Sequence, residues 1–524
     1  MKKLQKHIDF AKIWNDFDNY KTAQEVADAF GCSLDSAKSR ARHYRELMRR
    51  KPELGLEDIL DRSRVHKEGL TYKTHDIVIK HSVSVDKSKT RYVITSAQFG
   101  ADVNEELLDT LKFYCKETNA QLLVLPIRYG LTLDPMSPLL NDFVTYKGHT
   151  LHKHVELNYM SLRPTLMNPL SGLHRYASKR SQIFAHPQQA LEFSPRSNIK
   201  VPKAIMTTGS VTHPLYGFDK TSEQAEFEHK FGAVVVELDG GQFHFRHIAS
   251  DVNGEFCDIA GGESYLYGAD SKKKIDIDAL VCGDWHTGET CPVVRKATYN
   301  GIIPALKPSS IIKHDFLDGR SISHHDERDH VRMAQKAMSG QNNLKGELDY
   351  CSKELDFIRD NSNGAKVIMV ASNHNDHLDQ YLSESRYVKD WINMAEATGL
   401  VTDKIMTRKP AFEIAMLKRG QDDVRFLKRD EDFKINDWKL DLHGDVGCNG
   451  ARGSAVSFDR VGLKAIVGHS HTPSIKRNVL TVGTSTPLKV HYTKGLTSWL
   501  NTHAIVYPNG QAQLINIIGG KWHG

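Results

Sequence analysis

The sequence predicts an α/β protein, α+β in part, and three observations carry that class. An early strand–helix–strand order reads as a parallel unit, a late series of apolar strands each ends in a polar turn, and a basic helical stretch precedes both. At about 150 residues per domain, 524 residues suggest roughly three units. They are expected at 1–65 (helical), 75–270 (a central α/β domain) and 275–524 (a two-sheet sandwich flanked by helices). The run SKKKIDID, Ser271 to Asp278, leads into the last.

In the first unit Val26, Ala27 and Phe30 recur at helical spacing, Gly31 breaks the helix, and Ser33 is suited to cap a second helix from Leu34. Helix, glycine-containing turn and helix is the helix-turn-helix plan, whose second helix enters the major groove. That helix carries Lys38, Arg40, Arg42, Arg45, Arg49 and Arg50, a density suited to phosphate contacts with DNA. A solvated basic face or a docking module is the alternative.

In the central unit, strands are expected at Tyr92 to Phe99 and Gln121 to Ile127, with a helix between them from Asn104 to Thr118. That order makes one βαβ unit. Another strand is expected at Ala233 to Leu238. Pro164, Pro169, Pro187, Pro195 and Pro202 mark loops between these elements, and there is no glycine-rich phosphate loop. No motif here assigns a role.

Composition bounds the function. Forty per cent hydrophobic and 26% charged residues exclude a disordered chain. No apolar run approaches the ~18–20 residues that cross a bilayer, and the N-terminus lacks the apolar region of a secretory signal. Cys32, Cys115, Cys257, Cys282, Cys291, Cys351 and Cys448 are odd in number and contain no CxxC pair. A reducing, cytoplasmic location is therefore expected, and a zinc ribbon is not. The net charge of +6 is compatible with nucleic acid without requiring it. More telling are the 27 histidines, many of them beside Asp, Asn and Gly in the last half.

There, five motifs share one design, an apolar strand followed by metal-ligating side chains. ALVC leads to Asp284 and His286, SSII to Asp315 with Asp318 behind it, and KVIMV to Asn373 and His374. WKLDL leads to His443, and LKAIV to His469 and His471. Loops at the carboxyl ends of strands are where α/β sheets place ligand sites. Imidazole and carboxylate together suit manganese, iron or zinc, and seven ligands suit two ions better than one.

These motifs resemble those of the calcineurin-like dinuclear metallophosphoesterases: Asp-x-His, Gly-Asp, Gly-Asn-His-Asp/Glu, a lone His and Gly-His-x-His. The resemblance covers the chain from near Asp276 onward. It implies that Asp284, His286, Asp315 and His471 hold one metal. Asp315 would bridge to a second, held also by Asn373, His443 and His469. It implies two divalent ions, Mn²⁺ first, with Fe²⁺ or Zn²⁺ as alternatives, and makes His374 the histidine that assists the leaving group. Three departures stand out: His314 and Ser372 replace glycines, and Asn375 replaces the acid that orients the histidine, with Asp376 as its substitute. The stretch between Asp315 and Asn373 is longer than usual, and its segment from His325 to Asp360 is expected as a helical, substrate-facing insertion.

The expected function is a metal-dependent DNA nuclease that hydrolyses phosphodiesters with hydroxide generated by two metals. The order of helix-turn-helix, central domain and phosphoesterase is similar to that of phage nucleases that degrade host DNA. A cytoplasmic partner set of DNA, no membrane and an optional second copy of the chain follows. The alternative is a phosphomonoesterase or protein phosphatase whose N-terminal helices serve oligomerisation or docking. A third reading is a DNA-binding regulator that keeps metals only for structure.

Overall fold

The computed structural model describes residues 82–524, apart from 130–134, 161, 218 and 491–492, together with 24, 27, 28, 33 and 34. Within the N-terminal unit Gln24, Ala27, Asp28 and Leu34 are helical and Ser33 is not. The expected DNA-contacting residues Lys38, Arg40, Arg42, Arg45 and Arg49 lie outside the described residues.

β1 (Arg91–Gln98), α1 (Glu105–Glu117) and β2 (Gln121–Ile127) form the parallel βαβ unit within a residue of its expected bounds. Asn104 caps α1 by accepting from the Leu107 amide. Alternation along β1 feeds two cores: Val93 packs with Leu107, Leu111 and Tyr114 of α1, while Tyr92 and Ile94 face the opposite side.

β3 (His149–His152), β4 (Val155–Asn158), β5 (Ser181–Phe184), β6 (Ala190–Phe193) and β7 (Ala204–Thr207) come next. β8 (Gly232–Asp239) and β9 (Gln242–Ala249) form a hairpin that completes a sheet of order β2-β1-β8-β9. β10 (Phe256–Ala260), β11 (Glu263–Tyr267) and β12 (Lys272–Lys274) make a small antiparallel sheet.

The last zone supplies the other strands: β13 (Ala279–Val281), β14 (Ser310–Lys313), β15 (Lys366–Met369), β16 (Arg425–Phe426), β17 (Lys434–Ile435), β18 (Trp438–Lys439), β19 (Ala465–Val467), β20 (Ser474–Lys476), β21 (Val479–Thr481), β22 (Asn501–Val506) and β23 (Ala512–Ile517). One sheet runs β16-β15-β14-β13-β22-β23, with β13 to β16 parallel. Its side chains alternate between two cores. Ala279, Val281, Ile312 and Ile368 face Ile466, Ile475 and Leu480 of the facing sheet. Leu280, Ile311 and Val367 face the outer helices. The fold is thus a mixed α/β arrangement with two sheets packed face to face.

The facing sheet runs β17-β18-β19-β21-β20-β6-β7-β5-β4-β3. Its middle is the antiparallel pairing of β20 with β6, Ile475 opposite Leu191 and Lys476 opposite Ala190. Ten strands therefore continue across the boundary expected at 270–275, and the central and C-terminal zones share one core. The insertion after Asp315 also differs from expectation. Its long helix α2 (Leu344–Asn361) buries Leu344, Leu348, Cys351, Leu355 and Ile358 against the sheet. That helix serves the core through an apolar stripe that its polar composition conceals.

A buried ion network joins the zones a second time. Arg246 on β9 donates to Asp258 (2.8 Å) and Glu237 (2.8 Å) and to the carbonyl of His523 (3.0 Å). Asp258 also accepts from Tyr114 (2.6 Å) and Gln513 (2.9 Å). Burial pushes the Glu237 carboxyl up, yet the Arg246 guanidinium, with Arg91 behind it, holds it down at about 2.

Two outcomes follow. Arg246→Met leaves buried Asp258 without a cation and Glu237 with Arg91 alone, and should cost about 3–5 kcal/mol in denaturant unfolding. Because Glu237 sits below the 4.5 of a free glutamate, its pairing stabilises the fold above pH 4.5. That contribution should fade as pH falls towards 2 and be missing from the acid-unfolding curve of Glu237→Gln.

Candidate metal centre

The centre forms where the carboxyl ends of β13, β14 and β15 meet those of β18 and β19 across the sandwich. Beyond β13 and β14 the chain keeps pairing: Trp285 N–H donates to the His314 carbonyl (3.0 Å), His286 to Asp315 (2.7 Å) and Thr287 to Phe316 (2.9 Å). The two loops are zipped together, so Asp284, His286 and Asp315 are held by backbone. On the other side the Gly468 amide donates to the His443 carbonyl (2.7 Å), which joins the loops after β18 and β19.

Four of these residues are left-handed: His286 (φ 47°), Asp315 (φ 43°), His469 (φ 67°) and His471 (φ 55°). Such backbone costs a residue with a Cβ about 1–2 kcal/mol. Strain of that kind persists where surrounding structure enforces it, and it concentrates at functional sites.

All seven side chains expected as ligands are brought together. One oxygen or nitrogen each of Asp284, His286, Asp315 and His471 lie within 4.8 Å of one another, in full burial. His471 Nε2 is 3.0 Å from Asp284 Oδ2 and 3.2 Å from His286 Nε2. Asp315 Oδ2 is 3.8 Å from His286 Nε2 on this side and 3.1 Å from His443 Nε2 on the other. Beyond it the Asn373 amide oxygen is 3.1 Å from both His443 Nε2 and His469 Nδ1. Asp315 thus stands between two clusters of donors.

The electrostatics have one theme. Burial opposes charge on Asp315, yet His443 and His374 hold its carboxyl well below the usual range. Burial opposes charge on His443 too, and Asp315 with Asp284 behind it outweighs that, raising the imidazole to about 9. His286 is pushed down by burial and by His374. In this arrangement a proton on His443 occupies the place of a cation.

The residues fit divalent metal. Asp284 Oδ1 is buried with no hydrogen-bond partner among the described residues, and the donors are imidazole, carboxylate and amide oxygen without thiolate. A Cβ on Gly468 would collide with that same Asp284 oxygen, so only glycine lets the loop before His469 close over it.

His374 stands beside the clusters, its ring centroid 4.4 Å from that of His286. Its Nδ1 is 2.7 Å from the Asp318 carbonyl. That corrects the expectation for Asp376, whose carboxylate is taken by Arg429 at 2.8 Å, itself bound to Asp445. Asn375 is also structural: its amide oxygen accepts from Leu317 N–H (3.0 Å) and its NH₂ donates to the Val370 carbonyl (3.2 Å). The Asp318 carboxylate is 3.2 Å from His286 Nδ1, where a second carboxylate fixes which nitrogen faces the centre. His314 is buried against His443, and burial and that neighbour push it to about 4. Sequence reasoning missed Arg429 and Trp499, whose ring lies 4.3 Å from that of His471. Neither carries a local signal, because each arrives from a distant loop.

The chain is similar to Protein A1 of Escherichia phage T5, with 28% identity over 476 residues that cover 83% of each chain. No family model matches it. No solved structure matches it. No helix among the described residues is long and apolar enough to cross a membrane.

With His443 at about 9, a cation entering at neutral pH must expel its proton. Calorimetric titration with Mn²⁺ in buffers of different ionisation enthalpy should show roughly one proton released per chain, and affinity should rise with pH until about 9. Heats independent of the buffer would contradict this. Gly468→Ala, which displaces Asp284, should weaken metal binding at least about tenfold, as loss of a ligand's support does, with the far-UV spectrum unchanged.

Proposed function

We propose that this protein is a dinuclear, metal-dependent phosphodiesterase of the calcineurin-like type that degrades DNA, host DNA in a phage infection. The observation that carries the chemistry is the convergence of two donor clusters on Asp315. The similarity to a protein of phage T5 supports the phage setting. The basic run from Lys38 to Arg50 supports DNA, since residues 1–65 would raise the local concentration of phosphodiester at the centre.

When bound, two divalent ions would lower the pKa of a shared water and neutralise the non-bridging phosphoryl oxygens. Asp284, His286 and His471 would hold one and Asn373, His443 and His469 the other, with Asp315 placed between the two donor clusters. His374 supplies the proton. Its Nδ1–H is given to the Asp318 carbonyl, which leaves Nε2 as the atom from which a proton can be transferred. As water oxygen bonds to phosphorus, giving up a proton to solvent, the P–O ester bond breaks and the His374 proton passes to the leaving oxygen, to be replaced from solvent. The products are a phosphomonoester end and a free hydroxyl. The N-terminus of α3 (Asn373–Ser383) assists by orientation: Ser372 caps it, and the His374 amide is 3.3 Å from Asp315 Oδ1.

Purified protein with Mn²⁺ should degrade linear duplex DNA, and a closed circle reports whether ends are needed. His374→Ala should lower kcat by about 10²–10⁴ with DNA binding retained, and Asp315→Ala or a chelator should abolish cleavage. Intact DNA beside turnover of a chromogenic phosphomonoester would move the substrate to the phosphatase class. Replacing Arg40, Arg42 and Arg45 by Gln in the full chain should weaken DNA binding and flatten its salt dependence, while hydrolysis of a small diester is unchanged.

A further inference from the structure

The β8–β9 hairpin carries a second group of metal-type donors that shares no residue with the centre. In the hairpin register Asp239 pairs with Gln242 and Glu237 with His244, so Asp239 and His244 are diagonal neighbours on one face. Residues beyond β23 fold back over that face. Ile518 and Lys521 close a tight turn. Arg246 then grips the His523 carbonyl (3.0 Å), which lays the His523 ring on that of His244, with centroids 4.1 Å apart and planes 24° from parallel.

Two features of this stack call for a ligand. His244 is buried, and neither Nδ1 nor Nε2 has a hydrogen-bond partner among the described residues. An imidazole ring is not normally sealed from water with both nitrogens unused. Its neighbours also supply the missing chemistry: donor atoms of Asp239, His244 and His523 lie within 4.8 Å of one another, His523 Nε2 being 3.5 Å from Asp239 Oδ2.

We propose that Asp239, His244 and His523 bind a divalent cation of the zinc type, which ties residues 518–524 to the β8–β9 hairpin. Two imidazoles and one carboxylate are a donor set zinc favours, with a water in the fourth position. Ligand atoms about 2.0 Å from zinc lie ~3.3 Å apart in a tetrahedron, and an imidazole lone pair points along its ring plane, so the part-exposed His523 ring turns off its stack on His244, and Asp239 closes in, to complete the site. Asp239 Oδ2 also accepts from Lys521 (2.8 Å), whose side chain is 67% exposed. An ion pair at that exposure is weak and yields to a metal. Glu237, 3.8 Å from His523 Nδ1, stays committed to Arg246 and orients the ring from its other side.

The test is zinc content by elemental analysis of full-length protein, equilibrated with Zn²⁺ and then passed into metal-free buffer. His523→Ala and Asp239→Asn should each hold one equivalent fewer than wild type, while phosphoester hydrolysis by His523→Ala is unchanged. Asp315→Asn should retain this zinc, which separates the site from the centre whatever the centre's activity proves to be. With Co²⁺ as probe, the tetrahedral visible absorption should be present in Asp315→Asn and lost in Asp315→Asn/His523→Ala. Equal zinc in wild type and His523→Ala, or a cobalt spectrum indifferent to His523, overturns the proposal.

Discussion

Seven lone-pair donors crowded together, five of them buried and Asn373 and His469 half-buried, repel one another unless positive charge lies between them, and the site is organised around that constraint. Asp315 feels it most, with donors of both clusters within 4 Å of one of its oxygens. Asp315, with Asp284 behind it, draws the His443 imidazole up against burial, while burial first and a neighbouring imidazole second push His286 and His469 down. The left-handed backbone at His286, Asp315, His469 and His471 is the steric cost of aiming four side chains inward from strand ends. The zipped loops after β13 and β14 keep those residues from relaxing.

The central zone is part of the same construction. Its strand β6 completes the sheet that carries His469 and His471, because β20 follows directly from them and pairs with β6. Arg246 repeats the connection through Asp258, Gln513 and the His523 carbonyl. A zone without a chemical motif of its own thus braces the loop that supplies two of the seven clustered donors, His469 and His471.

Much of this was legible in the sequence because it is local. The βαβ unit from Arg91 to Ile127 and the strands before Asp284, Asp315, Asn373 and His469 announce themselves as short apolar runs, the later ones each ending in a polar turn. The seven side chains that the fold brings together were legible as a group because each motif needs only a few consecutive residues. What escaped was non-local. Nothing in ALEF or SIK says that β6 and β20 pair, and the polarity of the segment before β15 hid the buried stripe of α2. Asp376 looked like the acid for His374 by proximity in sequence, yet Arg429 reaches it from another loop and the Asp318 carbonyl takes the histidine. The basic residues from Lys38 to Arg49 stand as read from sequence, outside the described residues.

Anomalous diffraction from crystals grown with Mn²⁺ tests the central claim most directly. Two peaks ~3.5–4 Å apart are expected, one contacting Asp284, His286 and His471, the other Asn373, His443 and His469, with Asp315 touching both. A single peak at this centre, or two that do not share Asp315, would contradict the dinuclear arrangement and the chemistry built on it.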